Sequence, residues 1–96
     1  MEKWKKILEK CSRGDRNIRW NDIMVLFRHF EIYEVNPKKG GSHRVFSHRL
    51  MEKYEPDYIL MVPRPHGKRE KYIHFKKAKE IADYIEMIQY YKELEG

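Results

Sequence analysis

Tyr58-Ile59-Leu60-Met61-Val62-Pro63 is the stretch on which the fold turns. A continuous apolar run stopped by a proline predicts a β-strand at a buried, central place in a sheet. Working back from it, Ser42–His48 reads as a second strand and Ile32–Val35 as a short first one, joined by the turn Pro37-Lys38-Lys39-Gly40-Gly41. The polar stretch Arg49–Asp57 predicts a loop with at most one turn of helix. Nearer the start, Trp4, Ile7, Leu8 and Cys11 fall at i, i+3, i+4 and i+7, a short amphipathic helix over 2–11 ended by Ser12-Arg13-Gly14-Asp15. A second helix is predicted to begin at Asn21 as N-cap, with Trp20 packed on Val25 and Ile23, Met24, Phe27 and Phe30 at helical spacing.

Beyond Pro63-Arg64-Pro65-His66-Gly67, a long helix over Lys76–Leu94 carries two apolar stripes. Ala78, Ile81, Ala82, Ile85 and Ile88 suit the core side. Tyr84, Met87, Tyr91 and Leu94 form a second line, predicted to be a protein interface for a homodimer or another partner unless the first helix covers it. The order helix, helix, strand, strand, strand, helix predicts one α+β domain over 1–96: a small three-stranded antiparallel sheet with helices on one face.

Size and charge narrow the function. Ninety-six residues supply one modest core. Lys plus Arg number 21 against 15 Asp plus Glu, a formal charge of +6, which favours phosphate backbones or anionic surfaces. Both signs are interleaved, so the chain does not read as disordered. Its single cysteine, Cys11, excludes an internal disulfide and fits a reducing compartment. No apolar run approaches the roughly 20 residues of a membrane span, and the first residues lack a signal-peptide core. The expected place is the cytoplasm.

Of five histidines, His43 has the most suggestive setting. It follows a Gly-Gly-Ser turn, where backbone approaches a ligand closely, and Lys38, Lys39 and Arg44 surround it in sequence. Imidazole moves protons near neutral pH, and cations stabilise charge developing on phosphorus-bound oxygen. Metal-free RNA cleavage needs both. His48 lies five residues on, so strand alternation sends it to the opposite face, where a structural role is expected. His29 and His74 read as helix-terminal residues. Ser42 is adjacent to His43 and points to the other face of the strand, which rules out a nucleophile–base pair. The histidines lack zinc spacing, so no metal and no cofactor are expected. Lys76 and Lys77 sit in the first turn of the last helix, where positive charge opposes the helix dipole and suggests a place for phosphate. Most of the seven tyrosines read as packing residues.

Ile18-Arg19-Trp20 leading into a helix, Phe30 closing it, Gly41-Ser42-His43-Arg44-Val45-Phe46 on a strand and Val62-Pro63-Arg64-Pro65-His66-Gly67 after the next one together resemble the HicA toxin family, over residues 18–88. The helix over 2–11 is an addition to that pattern. The resemblance implies a fold like the double-stranded-RNA-binding domain, cleavage of messenger RNA with His43 as the catalytic residue, and a HicB-like antitoxin covering the site. The expected RNA contacts are Lys38, Lys39, Arg44, Arg64, His66, Lys68, Arg69, Lys76 and Lys77; His66 matches a loop element of the family, and Lys76 and Lys77 resemble the lysine cluster with which double-stranded-RNA-binding domains hold phosphates. One departure stands out: family members often carry glycine just before the phenylalanine that closes the helix, and here that residue is His29, which tolerates a left-handed cap less well.

Two other readings use the same residues. One is a non-catalytic RNA-binding module in which His43 is a mere contact. The other is an interaction protein whose second stripe on the last helix seeks a protein or an anionic membrane surface. Cleavage, salt-sensitive binding without cleavage, and absence of RNA affinity separate the three.

Overall fold

The computed structural model describes residues 2–37, 41–65 and 71–96. The elements are α1 (Lys3–Arg13), α2 (Trp20–His29), β1 (Tyr33–Glu34), β2 (His43–Ser47), α3 (Arg49–Tyr54), β3 (Leu60–Pro63) and α4 (Phe75–Glu95). The three strands form one antiparallel sheet in the order β1-β2-β3, with Tyr33 opposite Ser47 and His43 opposite Pro63. This is the α+β class the sequence predicts.

The helices cover the sheet face that carries Phe46, Leu60 and Val62, all buried. Phe46 receives Phe27 edge-on at 4.7 Å between ring centroids and Trp20 at 6.0 Å, which seats α2 on the sheet. α4 contributes Ala78, Ile81, Ile85 and Ile88 to the same core, and α1 packs Ile7 and Cys11 against α2 and α4. Burial pushes the Cys11 thiol up to about 12, which makes it a small hydrophobe rather than a nucleophile. Gly14 ends α1 at φ 73°, and a Cβ there would stand 2.6 Å from the Lys79 side chain. The left-handed backbone favours glycine, whereas the flexible Lys79 side chain can move aside for a Cβ.

Four expectations are corrected. β3 is an edge strand, and β2 is the central one. Leu60 and Val62 are buried because helices cover one face only, while Ile59 on the outer side is exposed. Pro63, which lacks an N–H to donate, suits such an edge. Second, α2 begins one residue before Asn21: Arg19 is the N-cap residue, and its N–H donates to the Asp22 carboxylate at 3.0 Å.

Third, the segment after β2 is helical. His48 is buried and caps α3, its Nδ1 accepting from the Leu50 N–H at 3.0 Å, while Leu50 and Met51 enter the core. Finally, α3 covers part of the second stripe of α4. Tyr84 is buried with Tyr58 beside it, and Tyr91 stacks on Tyr54 at 4.5 Å, leaving Leu94 exposed. The stripe is therefore covered in part within the same chain: Tyr84 fully, Met87 and Tyr91 partly, and Leu94 not.

Candidate nucleic-acid interface

The site starts where β2 starts. The ladder runs one step past β3, because the Arg64 N–H donates to the Ser42 carbonyl at 2.6 Å. His43 lies opposite Pro63, so Arg64, one residue on, shares that end of the sheet while alternation turns its side chain to the other face. His43 is exposed and His48 buried, as strand alternation requires.

His43 lines a groove of about 310 Å³ with Val35, Asn36, Gly41 and Arg44. Asn36 takes a left-handed backbone at φ 48°, one of the few conformations asparagine adopts more readily than other side chains. The Arg44 side chain is 16 % exposed. Its Nε donates to the Gly41 carbonyl at 2.8 Å and its Nη1 to Glu34 at 3.0 Å. That guanidinium ties β1 to the turn before β2, and its charge is already matched. Arg44 shapes the groove more than it offers a free cation.

A second cleft, of about 360 Å³, opens on the other side of Pro63. Pro63 and Arg64 form one wall; Lys71, Tyr72, His74 and Lys77 form the other. No carboxylate lines it among the described residues. His74 caps α4, its Nδ1 accepting from the Lys76 N–H at 3.2 Å while its ring stacks on Phe75. Lys77 reaches Glu80 at 2.6 Å and is half-buried, whereas Lys76 is exposed. The two lysines that look alike in sequence thus differ: one is partnered and one faces solvent.

Among the expected RNA contacts, Arg64 and Lys77 line one cleft and His43 and Arg44 line the separate groove; strand alternation sends the His43 and Arg64 side chains to opposite faces of the sheet end they share. Lys38, Lys39, His66, Lys68 and Arg69 lie outside the described residues. Arg16, Arg19, Trp20, Tyr72 and Phe75 escaped functional reading. Arg19 and Trp20 were visible only as a lead-in to a helix, and Tyr72 only as one tyrosine among seven. Their juxtaposition depends on pairing between distant segments: the Ile73 N–H donates to the Ile18 carbonyl at 2.8 Å, and Arg19 and Tyr72 form an isolated antiparallel bridge.

Among the described residues no three His, Cys, Asp or Glu side chains converge as metal ligands, and no helix is long and apolar enough to cross a membrane. Comparison of the chain with protein-family models, with curated proteins and with solved structures finds no match.

Proposed function

We propose that this domain is a metal-independent endoribonuclease of the HicA toxin type, acting on messenger RNA in the cytoplasm and held inactive by a small HicB-like antitoxin. The observation that carries the reading is the exposed His43, set opposite Pro63 in a groove of its own, with a carboxylate-free cleft lined by Arg64, Lys71 and Lys77 beyond Pro63. In the proposed step His43 takes the proton from a ribose 2′-hydroxyl. The 2′-oxygen attacks the adjacent phosphorus, the bond to the 5′-oxygen breaks, and that oxygen leaves with a proton from the imidazolium or from water. The products are a 2′,3′-cyclic phosphate and a 5′-hydroxyl. Arg64, with its donors spread over a planar fork, suits a phosphate of the same strand beyond the one cleaved.

One observation favours a second reading, a non-catalytic RNA-binding module. The carboxylate that lines the His43 groove, Glu34, is engaged by Arg44, so no second acid or base stands ready beside the imidazole among the described residues. Incubating the purified protein and its His43→Ala variant with a short synthetic RNA in excess EDTA decides between them. Cleavage by the wild type alone, ending in a cyclic phosphate, supports the nuclease. Equal cleavage by both proteins rejects His43 as the catalytic residue, and binding without cleavage by either leaves the module.

A further inference from the structure

Three arginines on one surface lie over aromatic rings. The Arg19 guanidinium carbon is 5.7 Å from the Tyr72 ring centre, that of Arg64 is 5.5 Å from Trp20, and that of Arg16 is 4.1 Å from Phe75. The pairs come from three separated parts of the chain and are continuous in space. Arg19 and Trp20 are neighbours at the start of α2, Arg64 and Tyr72 line one cleft, and Tyr72 and Phe75 flank the start of α4. Pairing of Ile18 with Ile73 and of Arg19 with Tyr72 holds the parts together.

This arrangement has a physical cost that points to an anion. Arg16, Arg19, Arg64, Lys71 and Lys76 make no ion pair with any described carboxylate, in a chain whose formal charge is already +6. Unmatched cations in one area repel one another. A guanidinium within about 6 Å of a ring face is attracted by the ring quadrupole, which limits the positions it samples. Less entropy is then lost when it takes a phosphate with two parallel hydrogen bonds. Asp22, the acid nearest Arg19 in sequence, accepts from the Arg19 backbone, and Asp15, next to Arg16, is paired with Arg13.

We propose that this arginine–aromatic surface is the binding track for single-stranded RNA, with Arg64 and Arg19 on successive phosphates and Tyr72 offering ring surface to a base. The proposal rests on the RNA reading above and names its substrate form. Single strands are favoured over duplex on three grounds. A cleft of about 360 Å³ takes a nucleotide and not a double helix. Tyr72 is 43 % exposed, and a ring stacks only on a base already out of its helix. The attack of a 2′-oxygen in line with the leaving oxygen, which the proposed cleavage requires, also needs a backbone free of A-form geometry.

The test is fluorescence anisotropy of a labelled short RNA, single-stranded or annealed to its complement, with the His43→Ala protein as the parent. Arg19→Gln and Arg64→Gln should each weaken single-strand binding roughly tenfold, the worth of one charge-assisted contact. Each should also flatten the log–log salt slope by about 0.7. Tyr72→Ala should weaken binding with the slope unchanged, and Arg19→Lys should restore the slope without the full affinity. Arg49→Gln, beside Glu95 at the other end of α4, should change nothing. Circular dichroism confirms that each variant is folded, and a variant that is not is replaced by the conservative Arg→Lys or Tyr→Leu exchange at the same position. Unaltered affinity in the folded cleft variants, or tighter binding of the duplex, overturns the proposal. The two readings fail separately: cleavage by the wild type that the same cleft substitutions in the wild-type background leave unaltered, with binding also unaltered, rejects the track alone, whereas cleft-dependent binding without any cleavage rejects the nuclease alone.

Discussion

The Trp4 indole lies flat on the His29 imidazole, ring centroids 3.9 Å apart and planes 13° from parallel. Trp4 also meets Phe30 edge-on at 5.3 Å. These contacts join the first helix to the last turn of α2. His29 has no need of a left-handed backbone, because α2 runs through it as its last residue and the left-handed turn falls at Glu31, φ 59°. A side chain in place of glycine gives α1 a ring on which to dock.

Trp4→Ala should therefore loosen α1 from the rest of the domain. Half-burial of the indole and loss of its stacking predict a destabilisation of about 2 kcal/mol. For a domain of this size that is a fall in melting temperature of about 10 °C. His29→Gly should show part of the same loss. A thermal melt unchanged in Trp4→Ala would mean that α1 contributes nothing through this contact.

His48 makes stability depend on pH. Burial lowers its pKa from the ordinary 6.5, and the nearby positive charges of Lys92 and Arg49 lower it further. The folded chain thus holds His48 neutral, with Nδ1 free to accept from Leu50. The unfolded chain binds the proton more readily, so stability is full above the unfolded pKa and declines as pH falls below it. Urea denaturation at about pH 7 and about pH 5 should show the decline in the wild type. His48→Asn, which keeps an N-cap acceptor without a proton to gain, should reduce it. An equal pH dependence in both proteins would remove His48 as its source.

Tyr91 and Leu94 share a helix face and should behave differently. Tyr91 stacks on Tyr54 and donates its hydroxyl to Glu55, whereas Leu94 is 61 % exposed. Tyr91→Lys should lower the melting temperature by several degrees at every protein concentration, with the mass in solution unaltered. Leu94→Lys should stay within the small range of surface substitutions, about 0.5 kcal/mol either way. A melting temperature that rises with concentration, and falls to a constant value in Leu94→Lys, would instead identify the outer stripe as a dimer contact.

Lys76 and Lys77 should contribute unequally to RNA binding. Lys77 is held by Glu80 at 2.6 Å, so its charge is already matched. Replacing both by Gln should flatten the salt slope by about 0.7, one contact, and Lys77→Gln alone should scarcely move it. A slope reduced by about twice that amount would show that Lys77 leaves Glu80 for phosphate.

Local pattern determined much of this chain. The spacing of Trp4, Ile7 and Cys11, of Ile23 and Phe27, and of Ile81, Ile85 and Ile88 specifies three helices and the faces they bury, because periodicity is written in neighbouring residues. The alternation that exposes His43 and buries His48 is local in the same way, and so is the turn that brings glycine next to that imidazole. The tertiary structure alone decided which strand is central, because an apolar run at an edge and one in the middle of a sheet differ only in what pairs beside them. It decided α3 as well: six residues are under two turns, too few for a periodic signal, and the His48 cap exists because packing buries it. The arginine–aromatic surface was the least legible part. Arg19 meets Tyr72, and Arg64 meets Trp20, only because Ile73 hydrogen-bonds to Ile18 and the strand ladder continues from Ser42 to Arg64. Contacts between segments so distant in the chain leave no mark in the spacing of either one.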